Sequence, residues 1–283
     1  MRDDNQDAEW AALPEVDYRR PSPARIYDFW LGGDHNFAAD REIGQRVLDA
    51  MPMIRPTAWS NRAFLRRLVH NLVTDYGVTQ FLDLGSGVPT AGNVHEIAQT
   101  LDPRCRIVYV DIDPVAVAHS RHILAENAGA RVVHADLRRP DQVLDSQPVH
   151  DILDFDQPVA ILLISVLHFI ADHDDPAGIV RHYTRHLTPG SYLGLSHGIP
   201  APNNQAGQST AADDYFHVTR TPVVPRDTAT IASWCAGMTV EPPGLVPVNQ
   251  WRPDTGNPTE PVAQVGLLAR VPEAHHGVAV SSR

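Results

Sequence analysis

The segment Gln80-Phe-Leu-Asp-Leu-Gly-Ser-Gly-Val88 constrains this chain more than any other. Phe81, Leu82 and Leu84 read as a short buried strand with Asp83 near its end, and Gly85 and Gly87 follow, two apart. Glycines in such a place let the backbone turn tightly and come closer to a ligand than a side chain would allow. Val94, Ile97, Ala98 and Leu101 then fall at helical spacing. Strand, glycine turn and helix make the nucleotide-binding corner of a doubly wound sheet. The glycine pair alone is a weak signal, and an ordinary strand-to-helix turn is the bland alternative. A dinucleotide fingerprint would carry a third glycine where this chain has Thr90, and a phosphate-cradling Gly-Lys-Ser/Thr is absent. What remains, acid-x-Gly-x-Gly, suits a cofactor without a pyrophosphate.

The following segments strengthen this assignment. Arg106-Ile-Val-Tyr-Val110 is a second strand candidate and runs straight into Asp111, 24 residues after Gly87. An acid about 20 residues beyond the glycines is where such folds grip ribose hydroxyls. Asp113-Pro114 opens a helix as N-cap and first helical residue, which makes Asp113 a cap and leaves Asp111 as the ribose candidate. A third strand, Arg131-Val-Val-His-Ala135, again ends in an acid, Asp136. Ligands bind at the carboxyl ends of parallel strands in this architecture, and here three successive strands deliver an aspartate there. Pro158 to Ile164 is a continuous apolar run, as expected of a central parallel strand buried on both faces.

Other elements follow from periodicity. Phe64, Leu65, Leu68, Val69, Leu72, Val73 and Tyr76 form an apolar stripe, which predicts a helix from Asn61 to Tyr76 capped by Ser60 and ended by Gly77. Asp175-Pro176 starts a helix with Ile179, Val180, Tyr183 and Leu187 inward, and Ser191 to Leu195 is a fifth strand. Pro200 to Thr210, rich in Pro, Asn and Gln, reads as a loop. Asp227 to Ala236 reads as a helix with Ile231, Trp234 and Cys235 inward, and Met238–Val248 and Val262–Ala269 as two last strands. The expected organisation is an N-terminal helical extension over residues 1–60, an α/β domain over 61–271 and a mobile tail over 272–283.

With these residues the sequence resembles the class I S-adenosylmethionine-dependent methyltransferases from about Asn61 to Arg270, departing at Pro89, where many members carry another glycine. Nearly the whole chain is similar to an actinobacterial methyltransferase family long catalogued without a known function. That likeness lies in Pro23 to Phe37, Asn61 to Arg66, Gly87-Val-Pro-Thr90 with Asn93 to Glu96, and Leu245-Val-Pro-Val with Trp251-Arg-Pro-Asp254. It departs at Asp34-His35, where the pattern has Lys-Asp. The resemblance implies a Rossmann-like, mostly parallel sheet with an antiparallel last strand, and S-adenosylmethionine as cofactor. It places Asp83, Gly85 and Gly87 around the methionine part, Asp111 at the ribose and Asp136 with Leu137 at the adenine, with Ser86, Ile112 and Ser165 as further cofactor-binding residues. It gives no acceptor.

Methyl transfer needs alignment more than covalent help, with a base only if the acceptor must lose a proton. His168, just after the fourth strand, is the base candidate; packing under the strand end is its structural alternative. His197, after the fifth strand, is a weaker candidate of the same kind among 15 histidines. Tyr27, Phe29, Trp30 and Phe37 are too aromatic for a disordered tail. The segment is either a docked brace or a lid that carries Tyr27, Asp28 and Asn36 to the acceptor, with Tyr27 also a catalytic candidate. Asp172-His-Asp-Asp175 reads as a helix-opening loop, and no metal is expected.

Composition narrows the partners. The 283 residues, 43% of them hydrophobic, suffice for one α/β domain with an added segment. A net charge of −11 argues against nucleic acid and for a small-molecule acceptor. Cys105 and Cys235 lack metal spacing and fit two free thiols in a cytoplasmic protein. The first residues, Met-Arg-Asp-Asp-Asn, have no apolar core, and the longest apolar run, Val159 to Leu167, is far short of the ~18 residues of a membrane span. Two rivals remain: a non-catalytic cofactor-binding or regulatory protein on the same fold, and a nicotinamide-dependent oxidoreductase, which Thr90 disfavours.

Overall fold

A computed structural model describes residues 17–89, 92–201, 203–254, 256 and 260–273. The first residues, Thr90 and all but 272–273 of the expected tail lie outside them. Among the described residues eight strands form one sheet in the order β3-β2-β1-β4-β5-β8-β6, with β7 also on β8, where β6 is Thr239–Val240 and β7 Val246–Pro247. Strands β1 (Gln80–Leu84), β2 (Arg106–Asp111), β3 (Ala130–His134), β4 (Ala160–Ile164) and β5 (Tyr192–Gly198) are parallel. β8 (Gln264–Arg270) runs antiparallel to β5, as the family likeness implied. The order reverses between β1 and β4, so the carboxyl ends of β1, β2 and β4 surround a crevice.

Helices cover both faces. On one, α3 (Ile54–Thr74), α4 (Val94–Leu101) and α5 (Pro114–Ile123) bury Phe64, Leu68, Leu72, Ala98 and Val117 against Phe81, Ile107 and Leu162. On the other, the short α6 (Pro140–Leu144) and α7 (Gln147–Ile152), then α8 (Pro176–Thr184) and α10 (Thr228–Ser233), pack on Leu82, Val108 and Leu163. Ile231, Trp234 and Cys235 are buried as their spacing predicted. A third core lies over the strand ends, where α1 (Pro23–Leu31), α2 (Ala38–Ala50) and α9 (Gln205–Thr219) bring together Ile26, Ile43, Val47, Met51, Ala211 and Tyr215.

Three expectations need correction. The helix predicted from Asn61 begins at Ile54, with Ser60 in its interior. Its Pro56 sits in the first turn, where the missing N–H has no helical acceptor to lose. The Pro200–Thr210 loop gives way to α9, whose Asn204 side chain accepts from Gly207 N. Met238–Val248 holds two two-residue strands, β6 (Thr239–Val240) and β7 (Val246–Pro247), because Pro242 and Pro243 lack the N–H a continuous ladder needs.

One buried cation ties the N-terminal helices to the sheet. Arg25 is 3% exposed; its Nε donates to Asp40 Oδ2 at 2.9 Å and its Nη1 to Asp113 Oδ2 at 3.2 Å. Asp40, fully buried, also accepts from the backbone N–H groups of Ser22 and Phe37. Asp113 caps α5, accepting from Val115 N and Ala116 N. Arg25→Met would leave two buried carboxylates facing each other without their cation. Urea denaturation should show a loss of about 3–5 kcal/mol; a loss below 1 kcal/mol would mean that the pair holds nothing together.

Candidate functional site

The crevice is built from backbone turned by glycine and from carboxylates held by backbone N–H groups. Gly85 and Ser86 donate to Val110 O, so the chain leaving β1 folds back across the end of β2. Gly85 and Gly87 have φ of 73° and 70°. A Cβ at Gly85 would strike Val166 Cγ2 at 2.3 Å, whereas one at Gly87 would meet nothing within 4 Å. Gly85 therefore fixes the fold of the loop, and Gly87 shows bare backbone to open space. Gly87 N donates to Asp111 Oδ2 at 2.7 Å, and Asp113 N to Asp111 Oδ1 at 2.8 Å. Burial pushes the Asp111 carboxyl up to about 6 and that of Asp83 up to about 7; Arg62 pulls Asp83 down and Asp111 adds to its rise.

The remaining strand ends complete the rim. Ile112, after Asp111, is 59% exposed, an unusual state for an isoleucine beside a crevice. Asp136 follows β3 and is paired with Arg138, and Leu137 beside it is buried. Ser165 leaves β4 with φ of 59°, and its N–H donates to both Ser196 O and Ser196 Oγ. The sequence-predicted residues Asp83, Gly85, Ser86, Gly87, Asp111, Ile112, Asp136, Leu137 and Ser165 thus lie on one continuous set of strand ends.

Next to Ser165 a cavity of ≈ 830 Å³, measured with its open mouth, lies between the strand ends and α1, α2, α3 and α9. Tyr27, Trp30, Phe169 and Tyr215 give it aromatic walls, and Ser165 and His168 are part of its lining. A polar relay joins the lining residues Tyr27, Ser165 and Gln264 through the buried Asn61 and Ser196. Tyr27 OH donates to Ala58 O and accepts from Asn61 Nδ2. Ser196 Oγ donates to Asn61 Oδ1 at 2.6 Å and accepts from Ser165 N and Gln264 Nε2.

His168 sits on a 3-10 turn, Leu167–Phe169, held from behind by Arg226. Arg226 donates to Leu167 O and Ile170 O on either side of the histidine, and Val224 N donates to His168 O. Burial, with His197 and Arg226 nearby, holds the His168 imidazole well below the ordinary histidine range. No side-chain hydrogen bond restrains that ring among the described residues, and its Nδ1 is buried without a partner.

Four candidates take other places. His197 is fully buried outside the cavity lining, with Nδ1 on Gly198 O and Nε2 on Arg226. Asp28 and Asn36 brace the Gly32-Gly33 turn instead of facing the acceptor side. Asn36 Nδ2 donates to Asp28 Oδ2 and Gly33 O, and Asp28 Oδ2 also accepts from His35 N. Tyr27 reaches the cavity with its ring, but its hydroxyl is engaged and burial keeps it protonated. Asp172, Asp174 and Asp175 pair with Arg226, Arg138 and the start of α8.

Arg25 and Asn61 lie within the segments that carry the family likeness but had no role from it, and sequence patterns did not single out Ser196, Gln264, Arg226 or Tyr215. Each gains its role from a partner far along the chain. Only the spacing of Ala211, Tyr215 and Thr219 carried a local signal, a narrow stripe at intervals of four.

The sequence profile of a family described as S-adenosyl methyltransferase matches residues 9–274. A crystal structure of a DUF574-family protein from Streptomyces avermitilis MA-4680 matches with a TM-score of 0.85 and 36% identity, over 90% of this chain and 99% of that one. A candidate methyltransferase from Thermobifida fusca YX gives 0.86 and 33%, over 93% and 99%. An O-methyltransferase family protein from Burkholderia thailandensis, at 0.50 and 14% over 95% and 70%, shares the fold. No curated protein matches the sequence.

Proposed function

Since the chain belongs to the S-adenosyl methyltransferase family, we propose that it methylates a small-molecule acceptor held in the cavity beside Ser165 and His168. The observation that carries this reading is Gly87, whose bare backbone opens to free space while its N–H is anchored on Asp111. A cofactor can lie against that backbone, as a side chain could not. Asp83, Gly85, Ser86 and Gly87 would hold the methionine part of S-adenosylmethionine. Asp111 would accept from the ribose hydroxyls, using lone pairs left beside its two backbone bonds. The exposed Ile112 would lie on the cofactor's rings with Leu137 and Asp136 at the adenine edge, and Ser165 would stand between cofactor and acceptor. When bound, S-adenosylmethionine supplies a sulfonium-activated methyl group.

The protein's own contribution is alignment and exclusion of water, a class of effect worth about 7–11 kcal/mol. Residues 23–58 of the 1–60 extension act as the cover of the acceptor cavity, with Tyr27 and Trp30 as its walls, and residues 61–271 as the catalytic domain. His168, neutral and held in place by Arg226, serves as the base where the acceptor loses a proton. The acidic charge of −11 favours a small molecule over nucleic acid. Two buried free thiols support a cytoplasmic location, and among the described residues no helix is long and apolar enough to cross a membrane.

Calorimetry with S-adenosylhomocysteine tests the cofactor site. An ionised Asp111 accepts ribose hydroxyls better than a protonated one, so affinity should be full well above pH 6 and fall as pH drops through about 6. Asp111→Asn should weaken binding by about 1–3 kcal/mol at pH 8 and lose the limb near pH 6. Failure of the parent protein to bind would overturn the reading. Tyr27→Phe separates wall from acid–base group. It should lower stability by about 1–3 kcal/mol through Asn61 and Ala58, and leave the pH profile of methyl transfer unchanged; a shifted profile would return Tyr27 to the chemistry.

A further inference from the structure

The lining of the acceptor cavity states what it can hold. Among its described residues there is no Asp, Glu, Lys or Arg. Its titratable groups are Tyr27, His168 and Tyr215. Burial holds both phenols above their ordinary range and the imidazole well below its own, so all three are neutral near pH 7. A carboxylate, phosphate or ammonium group entering this space would shed water and meet no counter-charge. Four aromatic walls favour a flat ring system over a flexible chain.

The polar atoms of the lining divide into spent and unspent. Gln208 is spent on Ala201 N and Ile199 O, Gln264 on Ser196 Oγ, and Tyr27 on Ala58 O and Asn61. Thr57 Oγ1, Tyr215 OH and His168 Nδ1 are buried and have no hydrogen-bond partner among the described residues. Thr57 and Tyr215 are only 5% and 3% exposed. Buried polar groups are nearly always paired, because leaving one unpaired is unfavourable. Three such groups stand on residues that line one apolar cavity, hydrogen-bonding capacity that a bound ligand can take up. Two are hydroxyls and the third is a ring nitrogen. A ligand hydroxyl, donor and acceptor at once, complements such a set, which a purely apolar ligand would leave unsatisfied.

We propose that the acceptor is an uncharged hydroxyaromatic molecule and that the reaction is O-methylation, with His168 taking the hydroxyl proton. The inference rests on the methyltransferase reading above and narrows it. The acceptor oxygen forms the new bond to the methyl carbon, the carbon–sulfur bond breaks, and its electron pair stays on sulfur. The hydroxyl proton passes to the imidazole and from there to water. One positive charge is present before the step and one after it, moved from sulfonium to imidazolium, and release of the proton to water returns the cavity to neutrality. The products are an aryl methyl ether, S-adenosylhomocysteine and a proton.

The test uses the full-length protein with 2-naphthol and 4-phenylphenol as probes, and 2-naphthoate, 4-phenylbenzoate and naphthalene as controls. Binding is read by calorimetry, with S-adenosylhomocysteine titrated in parallel. At least one phenol should bind saturably, at least tenfold tighter than its carboxylate counterpart and tighter than the ring without a hydroxyl. With S-adenosylmethionine present, mass spectrometry should detect the corresponding methyl ether. Thr57→Val and Tyr215→Phe remove unpaired hydroxyls, so both variants should melt no lower than the parent. They should bind the phenol severalfold more weakly and S-adenosylhomocysteine as before. His168→Asn should lower the rate of ether formation at least a hundredfold while phenol affinity changes less than tenfold. Binding of neither phenol, or a carboxylate bound as tightly, overturns the proposal while S-adenosylhomocysteine still binds. Loss of S-adenosylhomocysteine binding in the parent overturns the methyltransferase reading itself.

Discussion

A single line of buried carboxylates and one arginine joins the glycine loop to the N-terminal helices. It starts at Gly87 N, passes through both oxygens of Asp111 to Asp113 N, and continues from the Asp113 carboxylate to Arg25 and on to Asp40. Each link connects a different element: glycine loop, end of β2, start of α5, then α1 and α2. The glycine loop cannot shift without disturbing Asp111, nor can α1 without exposing Asp113. Buried ion pairs add little net stability compared with apolar packing, yet breaking one is expensive. Such a pair serves registry: it fixes where the N-terminal helices sit relative to the strand ends, to a precision apolar contacts between Ile26, Ile43 and Val47 would not impose.

That registry creates the cavity. Helices α1, α2 and α9 share a core of their own, and its apolar side chains meet the sheet only partly. The space left between them is walled by described residues from seven separate stretches of the chain, among them Tyr27, Trp30, Phe169 and Tyr215. The Asn61 relay then ties the lining residues Tyr27 and Ser165 together through Ser196.

What the sequence made legible follows from local rules. Parallel strands buried on two faces read as apolar runs, and the aspartates at their ends stand out against them. Asp113-Pro114 carried its own capping signal, and the structure bears it out. What stayed illegible depends on distant partners. Helix α9 buries only Ala211, Tyr215 and Thr219, so its Gln, Ser and Asp content hides the helix. Asp28 and Asn36 look suited to recognition until Gly33 folds them against each other. His197 was separable in principle. Successive residues of a strand face opposite sides, so Ser196 toward Asn61 sends His197 toward Trp234 and Arg226. His168 follows its strand on a turn, where that alternation gives no direction.

The charge distribution divides the site in two. The strand ends crowd Asp83, Asp111 and Asp113 into a buried region facing Arg25 and Arg62, and two of these carboxyls are pushed up toward neutrality by burial, with a neighbouring carboxylate adding to each rise. A ligand bearing a cation relieves that crowding and lets the carboxylates ionise. The adjoining cavity has the opposite property, with phenols and imidazole all held neutral by burial. On the proposed reading, a cationic donor and an uncharged acceptor suit different compartments. They would meet at Ser165, where the backbone takes up a left-handed conformation and two bonds to Ser196 hold it there.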